Sequence, residues 1–220
     1  LAENKFKLAD IFGGIIIPII LVLLIFIFAV YINVGGTYHL LGSDNVIAVI
    51  LVSGFAQMIV LGIPLVLGLL WNKWAGGAAG FVMGGMYYVA SAGQYTSLYA
   101  TYSSGAVNYN FFGDVSMLFY LVNAVVIGYM AGALNNGSTN FKRMLGAGLT
   151  AAMITAVIQA YMNYNVSLEP SRTMAQGMWA DPGYAFLINF VPSIALGIIV
   201  PILAKVMTWY GLQPMKHAGY

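Results

Sequence analysis

Charge is what this chain has least of. Only 6% of its 220 residues are Asp, Glu, Lys or Arg, where an ordinary soluble domain carries about a quarter. Eight basic and six acidic side chains cannot clothe a soluble surface of this size, and a hydrophobic share of 61% points to lipid instead. Cysteine is absent, which excludes a disulfide framework, a thiolate metal site and an iron–sulfur cluster. Histidine occurs twice, as His39 and His217. With six spans these fall on opposite sides of the membrane, so a haem held by paired histidines is excluded and a multi-histidine metal site is not expected. His39 alone reads as a loop residue. No cofactor or metal is expected. The sequence has no phosphate-binding GxxxxGK[ST] loop and no spaced nucleophile and base, so it is not read as an enzyme. A net charge of +2 is too small to imply a nucleic-acid partner.

The few charges are clustered. None occurs in 11–43, 45–72, 74–113 or 144–168, and each gap can hold the roughly 20 residues that cross the hydrocarbon as helix. The expected fold is all-α: one polytopic bundle over residues 1–220, with six transmembrane helices near 11–33, 46–71, 75–100, 115–134, 144–164 and 184–210. The charged start leads into a span too long for a signal peptide, so none is expected. Lys5, Lys7, Lys73, Lys142, Arg143, Lys205 and Lys216 fall on one side of this arrangement and Arg172 on the other. Because cationic loops are retained in the cytoplasm, both termini are placed there.

The central feature is 71–88, WNKWAGGAAGFVMGGMYY. Gly76, Gly80 and Gly84 recur every fourth residue, which stacks them on one helix face. A bare face lets a neighbouring helix approach and gain dispersion contacts where lipid cannot drive association. The same role is expected of Gly128 and Gly132 in the fourth span, and of Gly148 and Ala152 in the fifth. The first span, almost wholly aliphatic, is expected to face lipid along much of its surface.

No acid or base falls at a predicted midplane. Proton-coupled transport is therefore disfavoured, and Asp10, Asp44, Asp114 and Asp181 read as capping or solvated residues at span ends. What remains is neutral and polar. Tyr99 and Asn108 follow the third span, Asn123 lies in the fourth, Tyr161, Asn163 and Asn165 close the fifth, and Asn189 opens the sixth. Asparagine offers donors and an acceptor and tyrosine a stacking face with a hydroxyl, a combination suited to a neutral, flat, polar solute. The competing roles are interfacial anchoring for the tyrosines and interhelical bonding or capping for the asparagines. Arg172, in a loop with Glu169 and Asp181, reads as a structural ion pair or as a clamp on a carboxylate or phosphate.

Residues 64–88, PLVLGLLWNKWAGGAAGFVMGGMYY, together with GYMAGAL before a short basic loop, a span ending in NYN and the last helix FVPSIALGIIVPIL, resemble the substrate-binding S-component of energy-coupling factor (ECF) vitamin transporters. The resemblance covers about two thirds of the chain. It implies a prokaryotic plasma-membrane subunit that binds a vitamin-like solute and works with another membrane subunit and two ATPases. It also implies a small-residue docking patch on the first helix, for which Ala9 and Gly13 are the nearest match. The alternative from a different class is a non-catalytic structural or accessory subunit of a larger membrane complex, such as a respiratory or oxidase assembly. A channel or facilitator is the third reading.

Overall fold

The computed structural model describes residue 20 and residues 46–102, 110–168 and 182–211. By contacts the chain divides into residues 1–53 and 54–220. Five long helices are described: α1 (Val46–Leu70), α2 (Lys73–Tyr102), α3 (Val115–Asn135), α4 (Phe141–Asn165) and α5 (Pro182–Trp209), with one 3-10 turn at Phe111–Gly113. No strand occurs among the described residues. Val115–Asn135, Phe141–Asn165 and Phe190–Trp209 are long and apolar enough to cross a membrane, and Met58–Leu70 is a shorter apolar segment. The chain is thus a helical protein with three candidate spans in its described part. The first expected span, 11–33, lies outside the described residues apart from residue 20.

Polar residues placed between the apolar runs cut the helices apart. Asn72 separates α1 from α2, and its Oδ1 accepts the N–H groups of Trp74 and Ala75 at 2.9 Å each, satisfying donors that the first turn of any helix leaves free. Asp114 does the same for α3 through the Ser116 N–H at 2.9 Å. At the other end of α3, Asn136 takes the left-handed conformation with φ 48° and its N–H returns to the Gly132 carbonyl at 2.9 Å, a stop that asparagine tolerates better than most residues. Asn140 caps α4 by accepting the Lys142 N–H at 3.0 Å. The helix accordingly begins at Phe141, ahead of the position expected near 144, because the exposed Lys142 and Arg143 form a first helical turn that apolarity alone does not reveal.

Helices α2, α3, α4 and α5 pack consecutively, each against the next. The α2–α3 contact is backbone on backbone. A Cβ built on Gly84 would stand 2.6 Å from the Leu121 Cα, and one on Gly80 2.6 Å from the Val125 Cα and nearer still to the Ala124 carbonyl. Gly76 meets the Gly128 carbonyl, and a Cβ on Gly132 would stand 2.5 Å from the Lys73 Cα. α1 enters this seam with Gly68 against the Gly128 carbonyl and the buried Pro64 beside Gly128. The α4–α5 contact is closed by a different fit, in which the buried Pro201 ring fills the space beside Gly148 and a Cβ on Gly197 would stand 3.2 Å from that of Ala152. Leu65, Leu69, Ile127, Met144, Ala151 and Val200 belong to a large apolar core that these seams enclose. Outward, Phe81 and Val89 of α2, Val157 of α4 and Ile198, Ile199, Ile202 and Leu203 of α5 are exposed, an apolar exterior compatible with lipid contact.

Candidate functional site

The described part of the bundle has one cationic end. Gly132 packs on Lys73, and Lys205 Nζ donates to the Thr139 carbonyl at 2.8 Å, so the α1–α2 connection, the α3–α4 loop and the end of α5 lie together. Lys73, Lys142, Arg143 and Lys205 all belong to this end. Each is tied or exposed in a way that suits an interface: Arg143 Nε donates to the Leu134 carbonyl at 3.1 Å, where a helix C-terminus favours a cation. Lys73 Nζ stands 5.7 Å from the Trp74 ring and 5.8 Å from the Tyr129 ring, and the two rings meet edge-on at 5.6 Å, a cation on an aromatic pair.

The far end of α3 is about 30 Å away by helix rise and has the opposite character. Asp114, only 1% exposed, accepts from Ser116 Oγ at 2.6 Å and, through Oδ2, from the Leu168 N–H at 2.9 Å. Its carboxylate therefore staples the start of α3 to the chain leaving α4. Beside it Tyr88 lies 5.1 Å from Phe111 and 6.2 Å from Phe112 by ring centroids, and Tyr87 lies 5.2 Å from Tyr120. Buried Ala92 and Met117 close the cluster.

Between these ends, the α3–α4 seam changes chemistry along its length. Toward the cationic end it is apolar, formed by Ile127, Ala131, Met144, Ala147 and Ala151. One turn further from that end on each helix, Asn123 and Thr155 replace alkyl groups, and Gln159 follows on α4. Asn123 Nδ2 donates to Gln159 Oε1 at 2.6 Å, and Gln159 Nε2 donates to Asn163 Oδ1 at 2.8 Å. Asn123 is 2% exposed and Gln159 5%. The three carboxamides form a line from the buried seam to the half-buried Asn163. Asn123 Oδ1 is buried and has no hydrogen-bond partner among the described residues. A buried carbonyl without a donor loses its hydration with nothing in return. Thr155 is satisfied locally through the Ala152 carbonyl at 2.9 Å.

No protein-family model, curated protein or solved structure matches this chain.

The expected solute-binding residues are thus distributed unevenly. Asn123 and Asn163 are brought together, through Gln159. Tyr161 is 61% exposed and sits on another face of α4, and Asn165 Nδ2 donates to the Tyr161 carbonyl at 3.1 Å within the same helix. Tyr99 and Asn189 belong to the helical backbone of α2 and α5, and their side chains lie outside the described set. Asn108 and Arg172, like Ala9 and Gly13 on the expected docking patch, lie outside the described residues. Gln159 was not among the expected site residues. Its signal was local: it is the i−4 neighbour of Asn163, which places two carboxamides on one helix face. Asn135 is a second such residue. Fully buried, it donates from Nδ2 to the Leu69 carbonyl at 2.7 Å and to the Ser138 carbonyl at 3.0 Å, so it caps the end of α1 from α3. Among the described residues no three His, Cys, Asp or Glu side chains gather as a metal site would require.

Proposed function

We propose that this chain is the membrane-embedded solute-binding subunit of a multi-subunit importer, a six-span protein of the prokaryotic plasma membrane with both termini cytoplasmic. The observation that carries the reading is the Asn123–Gln159 carboxamide pair with the unpartnered Asn123 carbonyl, set in a seam whose other half is alkyl. Amides that served only to hold helices together would be expected to satisfy one another. Asn135 also has a buried Oδ1 with no partner among the described residues, but it lies at the cationic end of α3, beside the α3–α4 loop, whereas Asn123 leaves its acceptor over midway along the helix, at a depth where water is scarce. The one-sided distribution of Lys73, Lys142, Arg143 and Lys205 supports the orientation, and in this reading Asn163 and the aromatic cluster face outward. The chain carries no catalytic constellation of its own in this reading, and energy is supplied by partner subunits.

One observation favours the accessory-subunit reading: Asn163 and Asn165 spend hydrogen bonds inside α4 and so are already occupied. Native mass spectrometry of the protein extracted gently from its own membrane separates the two. A retained compound of small-molecule mass, with the chain alone or beside two ATPases and a further membrane subunit, is the expected result. A ligand-free chain inside a redox assembly would overturn the importer reading and establish the accessory one.

A further inference from the structure

The polar half of the α3–α4 seam has more to say about what the solute is. Asn123 lies about 12 Å along α3 from Val115, roughly midway through the helix. A carboxamide has two N–H protons and a carbonyl. One proton of Asn123 Nδ2 is given to Gln159 Oε1, which leaves one N–H and the whole of Oδ1 on offer. A primary amide so held matches a partner that presents a donor beside an acceptor on one flat edge, the same pairing by which asparagine reads the N6/N7 edge of adenine. A charged partner is a poor fit. The described seam carries no ionised side chain, and Asp114 is engaged by Ser116 and Leu168, so an ion buried here would stay uncompensated.

Resting on the importer reading, we infer that Asn123 is the specificity-determining residue of a buried site for neutral, planar heterocycles of the lactam, imide or carboxamide class, which pair their N–H with Asn123 Oδ1. Gln159 is a positioning residue. Its Oε1 holds the Asn123 amide group in the orientation that presents the carbonyl, while its Nε2 is anchored on Asn163. The apolar half of the seam, built on Ile127 and Ala151, stays closed while the polar half admits the ring.

The test uses the full chain in lipid nanodiscs and three probe pairs: uracil and 1,3-dimethyluracil, nicotinamide and N,N-dimethylnicotinamide, riboflavin and its 3-methyl derivative. Each pair keeps the ring and exchanges N–H for N–methyl, and Asn123→Leu separates the lost hydrogen bond from the added bulk, because it removes the acceptor and leaves the bulk in place. The expected result is that at least one N–H member binds and that its methylated partner binds weaker by on the order of tenfold or more, the consequence of leaving a buried acceptor unmet. Asn123→Leu abolishes that preference, whereas Gln159→Met weakens the N–H member and narrows the gap within the pair. Binding of both members alike, binding of no N–H member, or an undiminished preference in Asn123→Leu would overturn the inference. If Asn123→Leu does not fold, Gln159→Met decides: a narrowed gap within the pair supports the inference and an unchanged gap overturns it. A charged compound carried out of the native membrane by this chain would leave the importer reading standing and remove this inference. A ligand-free chain in a redox assembly would remove both.

Discussion

Two glycine-to-alanine substitutions of identical chemistry are expected to change stability in opposite directions. At Gly146, on the exposed face of α4, an added Cβ meets nothing within 4 Å. Alanine there gains only its helix propensity, about 0.5–1 kcal/mol. At Gly80 the new Cβ would stand 2.6 Å from the Val125 Cα and press on the Ala124 carbonyl. Carbon atoms rest at about 3.5–4.0 Å, so α2 and α3 must part locally by roughly 1 Å. A gap of that size forfeits between a quarter and a half of each dispersion contact along the seam, and overpacking of this kind costs about 1–3 kcal/mol. The obstacle is main chain, which no rotamer change can move aside, so the upper part of that range applies. Subtracting the propensity gain leaves Gly80→Ala destabilised by about 1–2 kcal/mol. The assay is reversible unfolding in mixed micelles by titration with sodium dodecyl sulfate, followed by far-ultraviolet circular dichroism and tryptophan emission. Gly146→Ala should unfold at a higher denaturant fraction than the parent and Gly80→Ala at a lower one. Equal midpoints for Gly80→Ala and the parent, or a shift in the Gly146→Ala direction, would refute the close-contact argument.

Other substitutions test other joints. Asn135→Leu removes the donor to the Leu69 carbonyl and is expected to cost about 1 kcal/mol or somewhat more in the same titration; an unchanged midpoint would show that the α1 cap contributes nothing. Asp114→Ala loses a helix cap and the tie to Leu168, for about 1–2 kcal/mol, whereas Asp114→Asn, still able to cap, should retain more than half of that. Because the chain has no cysteine, a single introduced thiol is unique. Thr139→Cys should react with a membrane-impermeant maleimide only from the cytoplasmic side and Leu168→Cys only from outside. Labelling of both from one side would overturn the proposed orientation.

Much of the helical layout could be read from charge alone, because a charge-free run of sufficient length has few alternatives to helix in lipid. The start of α4 was the exception, since its first turn is polar and exposed and only the Asn140 cap marks it. The glycines at 76, 80 and 84 were legible as one face by their spacing. Which helix they meet was not, because every apolar span offers a similar surface and only packing selects Ala124 and Gly128 opposite them. The site was legible in residue type more than in position. Tyr161 and Asn165 drew attention as polar residues at a span end, yet they share an exposed face of α4, while Gln159 and Asn163 share the face turned toward α3. In a helix apolar nearly all round, periodicity carries little information about which face is inward. The role of Asn135 depends on a carbonyl 66 residues away in sequence, and no local pattern announces such a partner.

The interlocked glycines also bear on how the protein can move and assemble. With Gly76, Gly80 and Gly84 seated on the Ala124 and Gly128 carbonyls and the Leu121 Cα, main-chain bumps of one helix fill the dents of the other. A slide of half a turn would set bump against bump. The α2–α3 pair therefore has one register and behaves as a keyed rod, so relative motion within the bundle falls first to α3 with α4, whose shared seam is built from side chains. During synthesis the same keying makes α2 an unfinished surface, with a strip of uncovered peptide groups, until α3 arrives to complete it.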